Sequence, residues 1–407
     1  MIKMRVRIEK GTAHGKISAP PSKSMAHRLL ISAALADGVS TVRGVSKCED
    51  VLATLDCLYN LGVRTEILGD DVKIYGKDFS EVKATSTLWC RESGSTLRFM
   101  IPIALLSKNT IVFSGKESLM KRPMEIYAAL AKEKGVNFIA DGETIVTRGP
   151  LRPGKYELSG NVSSQFISGL LFALPTLYGD STIKITSSVE SRSYINLTMK
   201  AISEFGITTE WLDDYTINVP GGQKYKSQDI SVEGDYSGAA FPDALNFLGG
   251  EVTVDGLSEN SIQGDKVYKK HFESISSGLP TIHIGDCPDL GPILFALAAA
   301  KCGGIFDGTK RLKIKESDRA SAMASELKKF GASVSVYEDT VVVYPKDFHA
   351  PLEVLNGHND HRIVMSLAVL LTLFGGEIDG AEAVKKSYPS FFNDLAKLGI
   401  EVREYES

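Results

Sequence analysis

Six apolar stretches in this chain, recurring about every 70 residues with one shorter gap, each follow a short polar or charged cluster. The first three are Ser22-Lys23-Ser24 before MAHRLLISAALA, Glu92 to Thr96 before LRFMIPIALL, and Ser163-Ser164-Gln165 before FISGLLFALP. The second three are Asp235-Tyr236-Ser237 before GAAFPDALNFL, Asp289 before LGPILFALAAA, and Asp360-His361-Arg362 before IVMSLAVLLTLF. A helix apolar on every face must be enclosed by the fold. Its N-terminus carries unpaired N–H groups and a partial positive charge, so several such ends brought together would bind an anion without any cofactor. The expected ligand is therefore a small, negatively charged molecule.

A second pattern follows most of these stretches: an amphipathic helix ending in a large apolar residue and Gly, an alternating strand, an acidic turn and another strand. It reads LYNLGVRTEILGDDVKIYG, LAKEKGVNFIADGETIVTRG, ISEFGITTEWLDDYTINVPGG and ELKKFGASVSVYEDTVVVYP, and DLAKLGIEVREYE closes the chain the same way. Gly62, Gly135, Gly206, Gly331 and Gly399 stand where a helix C-cap needs a left-handed residue. A weaker copy, FESISSGLPTIHIGD, surrounds Gly278. Together the patterns predict an α/β chain of six units, three per domain, with the apolar helices inside and the sheets and amphipathic helices outside. At 407 residues two domains are expected. The fourth unit begins near Asp235, so the expected domains are residues 21–233 and residues 1–20 plus 234–407.

The net charge of −4 argues against a general nucleic-acid binder, so any basic site must be local. Five cysteines with no C-x-x-C pair indicate neither a disulfide framework nor a zinc ribbon, which fits a reducing cytoplasm. The opening MIKMRVRIEK alternates like a strand and lacks the apolar region of a signal peptide. The longest apolar runs are about a dozen residues, short of the roughly 20 that span a membrane.

Each motif has a plain structural reading beside its functional one. PSKSMAHR places Lys23 between Ser22 and Ser24 with Arg28 one turn on; Ser-x-Ser alone is a helix cap, but a lysine between the serines adds little to capping. ESGSTLR joins Gly94 to hydroxyls and Arg98, or is a capped helix with a packing Gly. KRPM carries Arg122, a type of loop residue usually solvated. SSQF (Ser163, Ser164, Gln165) and SRSYI (Ser191, Arg192, Tyr194) suit a polyhydroxylated ligand and equally suit capping. KESDR gathers Lys315, Glu316 and Arg319 within five residues, against the alternative of an exposed salt-bridged turn. NDHR sets Asp360, His361 and Arg362 ahead of a wholly apolar helix, where exposure is difficult; His358 and His361 lack further ligands at metal-binding spacing. Asp289 reads as an N-cap or as an ionised carboxylate able to accept a proton, and Lys385-Lys386 as a solvated pair or a cationic contact.

In order, PSKSMAHR, ESGSTLR, KRPM, SSQF, SRSYI, PDLGP, KESDR, NDHR and KKSYPSFF resemble the successive motifs of the 5-enolpyruvylshikimate-3-phosphate synthase family, from about Lys16 to Phe392. The resemblance implies the two-domain enolpyruvyl transferase fold, each domain three βαβαββ units around buried parallel helices. It implies transfer of the carboxyvinyl group of phosphoenolpyruvate to the 5-hydroxyl of shikimate-3-phosphate, with release of phosphate and no cofactor or metal. Lys23, Gly94, Arg122, Gln165, Arg319, Arg362 and Lys386 match the family's phosphoenolpyruvate ligands. Lys23, Ser24, Arg28, Ser163, Ser164, Gln165, Ser191, Tyr194, Asp289 and Lys315 match its shikimate-3-phosphate ligands. By the same resemblance Glu316 handles the methylene proton, Asp289 takes the hydroxyl proton and Lys23 assists the leaving phosphate, with domain closure bringing the two motif sets together. It also implies inhibition by glyphosate, for which Gly94 leaves space, and a cytoplasmic monomer with no nucleic-acid or membrane partner.

Two positions depart from the family pattern. Glu92 replaces an uncharged amide or shorter acid, and would repel phosphoenolpyruvate unless turned toward Lys23 or Arg122; Arg311 stands where relatives often carry Asn. The nearest rival is the UDP-N-acetylglucosamine enolpyruvyl transferase family, whose reactive Cys or Asp has no counterpart in FSGKESLMKRPM. A protein binding polyanions or RNA ends would interleave aromatic with basic residues, whereas these basic motifs are flanked by Ser, Gly and acids.

Overall fold

Helices and strands alternate as the repeat requires in the computed structural model, which describes residues 4–85, 87–344, 346 and 348–406. The first three residues of the opening strand pattern and Pro345 of the fourth hairpin lie outside the described residues. Backbone contacts divide the chain into two units, Pro21–Glu233 and Met1–Pro20 with Gly234–Ser407.

The first unit carries three four-stranded sheets of one design. In the second of them, Leu88–Trp89 pairs in parallel with Ile111–Ser114, which pairs antiparallel with Thr144–Arg148 and through it with Asn137–Ala140. The third repeats this with Gly154–Leu158, Ser181–Ile185, Thr216–Val219 and Glu210–Trp211. The first completes its set by borrowing Asp229–Ser231 from the end of the unit to lie parallel to Val39–Arg43. A parallel pair needs a long crossover. Here the crossover is an apolar helix, which explains why the two sequence patterns alternate.

The second unit has two such sheets and one reduced one. Met4–Ile8 and Val402–Glu406 form the antiparallel half of the sheet that holds Leu355–Asn356 and Gly376–Asp379, so both ends of the chain close one repeat. Among the described residues His14–Ser18 pairs only with Glu251–Asp255. The weak repeat around Gly278 accounts for this, because it has no acidic turn and return strand. Its strand Thr281–His283 joins the next sheet instead.

The helices used below are α1 (Lys23–Leu35), α2 (Glu49–Asn60), α3 (Gly94–Ala104), α4 (Ser164–Ala173), α5 (Arg192–Glu204), α6 (Tyr236–Phe247), α7 (Gly291–Ala300), α8 (Arg319–Lys329) and α9 (His361–Leu371). The apolar helices are enclosed: Met25 to Ala34 of α1, Gly291 to Ala299 of α7 and all of α9 are buried. Each fully buried Leu, Ile or Phe contributes about 1.5–3 kcal/mol relative to exposure. Close packing fixes their spacing, since a Cβ on Gly169 of α4 would lie 2.5 Å from the Arg98 carbonyl oxygen of α3. Gly135 is the C-cap of its helix, and Gly62, Gly206, Gly331 and Gly399 directly follow the C-caps Leu61, Phe205, Phe330 and Leu398; all five have φ between 66° and 88°, which turns each outer helix sharply into its strand.

Candidate active site

In the unit Pro21–Glu233, three serines cap the enclosed helices: Ser22 accepts from the Met25 N–H, Ser93 from Thr96 and Ser163 from Gln165. Lys23 opens α1 with its ammonium 2.8 Å from Asp50 Oδ2, the two side chains only 13% and 10% exposed. One turn on, Arg28 donates to the Ser24 carbonyl (2.7 Å), the Tyr194 carbonyl (3.0 Å) and Thr198 Oγ1 (2.8 Å). Those bonds join Lys23, Ser24 and Arg28 to the start of α5, where Ser191 holds a left-handed backbone at φ 55°. Burial lowers the Arg28 guanidinium to about 10, slightly offset by Tyr194, so it stays charged at neutral pH.

A second group surrounds Gly94. Gln165 donates to Ser95 Oγ (2.9 Å) and accepts from Arg98 Nη1 (2.8 Å). A Cβ on Gly94 would lie 2.8 Å from Arg122 Nη1 and 3.6 Å from both Arg98 Nη1 and Gln165 Oε1. Glycine at this place lets two guanidinium groups and an amide crowd the helix start. A buried polar chain braces both groups: His27 Nδ1 is 2.7 Å from Thr54 Oγ1, which is 2.8 Å from Thr96 Oγ1, itself 2.8 Å from Ser93 Oγ. Burial, reinforced by Lys23 and Arg28, holds His27 well below its ordinary value, so the ring is neutral.

The direction of Glu92, which the sequence leaves open, is toward Lys116 and Ser118. Its carboxylate meets Lys116 at 3.1 Å and accepts from Ser118 Oγ at 3.5 Å, on the segment that leads to Arg122. The physical reason lies in the backbone before it. Arg91 is left-handed at φ 53° and is held by Glu49 and Asp56 of α2, which aims the next side chain at the start of the short helix Glu117–Met120.

In the other unit the charged motifs meet on Arg319. This guanidinium is 1% exposed and contacts Asp360 (2.8 Å), Asp289 (2.7 Å) and Glu316 (2.7 Å). Asp289 lies in a tight turn, Pro288–Leu290, ahead of α7, whose N-cap residue is Leu290. It also takes Lys315 at 3.2 Å and Arg362 at 3.5 Å. Arg362 donates to the Ser237 carbonyl and hydroxyl at 2.9 and 2.7 Å, and Asp360 caps α9 by accepting from the Arg362 N–H. Lys386 is buried and donates to the Asn359 carbonyl at 2.6 Å, while Lys385 is exposed. The KESDR segment is thus a half-buried ion network around a buried arginine and not a solvated turn.

Electrostatics follow from that packing. Burial opposes charge on Arg319, but Asp360, Glu316 and Asp289 outweigh it and raise the guanidinium well above its ordinary value. Arg362 is raised for the same reason, with Asp289 and Asp235 overcoming burial. Lys315 moves the other way: burial lowers it, Asp289 offsets part of the loss, and Arg319 and Arg311 add to it. Among the described residues no group of three or more His, Cys, Asp or Glu is placed to hold a metal ion, and no helix is long and apolar enough to cross a membrane. His358 and His361 do not converge, since His358 faces Glu326 and His361 is buried beside Asp360.

Residues 8–395 match the profile of the family described as EPSP synthase (3-phosphoshikimate 1-carboxyvinyltransferase). The chain belongs to the EPSP synthase family. It is 38% identical to the 3-phosphoshikimate 1-carboxyvinyltransferase of Clostridium kluyveri over 426 aligned positions, covering 98% of each chain. Against the enzyme of the same name from Clostridium perfringens strain 13 the identity is also 38%, covering 98% of this chain and 99% of that one. Among solved structures it resembles EPSP synthase from Acinetobacter baumannii, with a TM-score of 0.77 and 26% identity over 98% of this chain and all of that one. The α/β organisation expected from the repeat agrees with the EPSP synthase fold that the resemblance implies.

The residues anticipated from the EPSP synthase motifs divide between the two units. Lys23, Ser24, Arg28, Gly94, Arg122, Ser163, Ser164, Gln165, Ser191 and Tyr194 lie in the first unit, and Asp289, Lys315, Glu316, Arg319, Arg362 and Lys386 in the second. Motif reading gave no role to Asp50, Thr54 or Glu326. Asp50 and Thr54 are four residues apart on α2, a helical spacing that signals a shared face but not what the face meets.

Proposed function

We propose that this chain is a 3-phosphoshikimate 1-carboxyvinyltransferase that moves the carboxyvinyl group of phosphoenolpyruvate to the 5-hydroxyl of shikimate-3-phosphate. The observation that carries the reading is the pair of carboxylates, Asp289 and Glu316, both held on the buried Arg319 beside Lys315 and Arg362. Acid–base chemistry on two substrates needs two such groups, and fixed cations orient them. The substrates together carry roughly −5 to −6, and the clusters supply an excess of cations over carboxylates to meet it.

In the proposed reaction Glu316 protonates the methylene carbon of phosphoenolpyruvate while Asp289 takes the proton of the attacking hydroxyl. The new C–O bond gives a tetrahedral intermediate. Loss of a methyl proton back to Glu316 then re-forms the double bond as the phosphate leaves, with Lys23 donating to its bridging oxygen. Lys23, Arg122, Arg319, Arg362 and Lys386 would hold phosphoenolpyruvate with Gly94 and Gln165. Ser24, Arg28, Ser163, Ser164, Gln165, Ser191, Tyr194 and Lys315 would hold shikimate-3-phosphate. The two compact units are proposed as the two domains, and the enzyme as a cytoplasmic monomer inhibited by glyphosate.

The test is phosphate release from both substrates without added metal. Lys23→Ala and Glu316→Gln should each lower kcat by about 10²–10⁴-fold, the range for a lost acid–base or charge-stabilising group. Release with UDP-N-acetylglucosamine in place of shikimate-3-phosphate would move the assignment to the rival transferase. Release with neither acceptor would return a polyanion-binding role to consideration.

A further inference from the structure

Asn359 and Asp360 reach Lys386 and Arg319 from a loop that bends through two left-handed residues. His358 and Asn359 are both left-handed, with φ of 50° and 52°. Two consecutive non-glycine residues in that region persist only where their surroundings over-determine them, and such strain concentrates at functional sites. The group that determines them is Glu326, two turns along α8 from Arg319. Its side chain is buried, yet one oxygen accepts the Asn356 N–H at 2.9 Å and the other lies 2.8 Å from His358 Nε2. Lys329 adds a contact at 2.9 Å, and burial is outweighed by these three partners, which keep the carboxyl below its ordinary value. Within the loop the His358 N–H donates to Asn356 Oδ1 (2.7 Å) and the Asp360 N–H to the Gly357 carbonyl (2.9 Å).

We propose that Glu326 is a positioning residue for the carboxyvinyl transfer: through Asn356 and His358 it locks the left-handed pair, and so fixes the Asn359 carbonyl on Lys386 and the Asp360 carboxylate on Arg319. This rests on the reading of Lys386 and Arg319 as phosphoenolpyruvate ligands. Glu326 itself touches no reacting atom. An uncharged amide in its place presents N–H groups to the donors of Asn356, His358 or Lys329, and the loop loses its anchor.

The experiment compares Glu326→Gln, His358→Leu and His358→Gln in the full chain by two readouts. Reductive methylation of Lys386, followed by mass spectrometry, reports whether its ammonium is still held, independently of any activity. Glu326→Gln and His358→Leu should label at least fivefold faster than wild type, while His358→Gln, which keeps a donor toward Glu326, should stay within twofold. In phosphate release, the first two should raise KM for phosphoenolpyruvate about tenfold and leave KM for shikimate-3-phosphate within twofold. Should Glu326→Gln not fold, the half-buried His358 variants decide the matter. Wild-type labelling in His358→Leu, or a rise in both KM values with a fall in melting temperature, would overturn the proposal. If wild type releases no phosphate, the functional reading fails while the labelling contrast still decides the role of Glu326.

Discussion

Gly94→Ala isolates the crowding at the start of α3. Glycine is the first residue of that helix and its φ is not left-handed, so alanine is acceptable to the backbone. The added methyl would sit 2.8 Å from Arg122 Nη1, so the guanidinium must yield by about 0.6 Å to regain an ordinary contact. Because the displaced atom ends a flexible side chain, the fold absorbs the change, and alanine in a helix gains up to about 1 kcal/mol over glycine. Stability should therefore hold or rise, by at most about 2–4 °C in melting temperature for a unit of this size. Binding should not hold. A charge-assisted hydrogen bond contributes about 1.5–3 kcal/mol, so losing the one from Arg122 to an anionic substrate predicts a roughly 10- to 150-fold rise in KM for phosphoenolpyruvate. Initial rates of phosphate release across a phosphoenolpyruvate series measure this, with shikimate-3-phosphate saturating and its own KM as control. A KM within twofold of wild type in a protein of unchanged melting temperature would refute the placement of Arg122 against Gly94 as a substrate contact.

Thr54→Val removes the hydroxyl linking His27 to Thr96; Thr96 keeps Ser93 and the Asp50 carbonyl, but His27 Nδ1 left unsatisfied at about 1–3 kcal/mol should lower the melting temperature by about 2–12 °C; an unchanged value in calorimetry would show that these bonds are not a brace. Glu92→Gln should leave KM for phosphoenolpyruvate level or up to about threefold higher, because the carboxylate faces Lys116; a threefold fall would mean that it repels substrate after all. Folded Glu326 titrates below its ordinary 4.5, so between those two values the unfolded chain binds more protons and stability falls as the pH drops. The destabilisation caused by Glu326→Gln should accordingly be full above about pH 4.5 and shrink below it, which melting curves from pH 3.5 to 6 would reveal.

Much of the architecture is written in hydrophobic period and punctuation. Apolar stretches with polar heads mark the enclosed helices, and glycine at or just after each C-cap marks the turn into the next strand, because both follow from local backbone and burial preferences. The motifs likewise mark which residues carry charge near helix starts. They do not say what each charge meets. Glu92 illustrates the gap: its direction depends on the left-handed Arg91 and on two carboxylates of α2 more than 30 residues earlier. Glu326 illustrates it again, since nothing in ELKKFGA distinguishes a helix-surface acid from one buried under a strained loop 30 residues on.

By itself the sequence determined the repeat, the inner and outer helices and the family, since these rest on spacing and residue type that adjacent positions share. Only the tertiary structure decided that Asp289, Glu316 and Asp360 converge on one buried guanidinium, and that Glu92 pairs with Lys116. Ion pairs form between side chains distant in sequence, and a partner is chosen by packing geometry and the cost of leaving a buried charge alone.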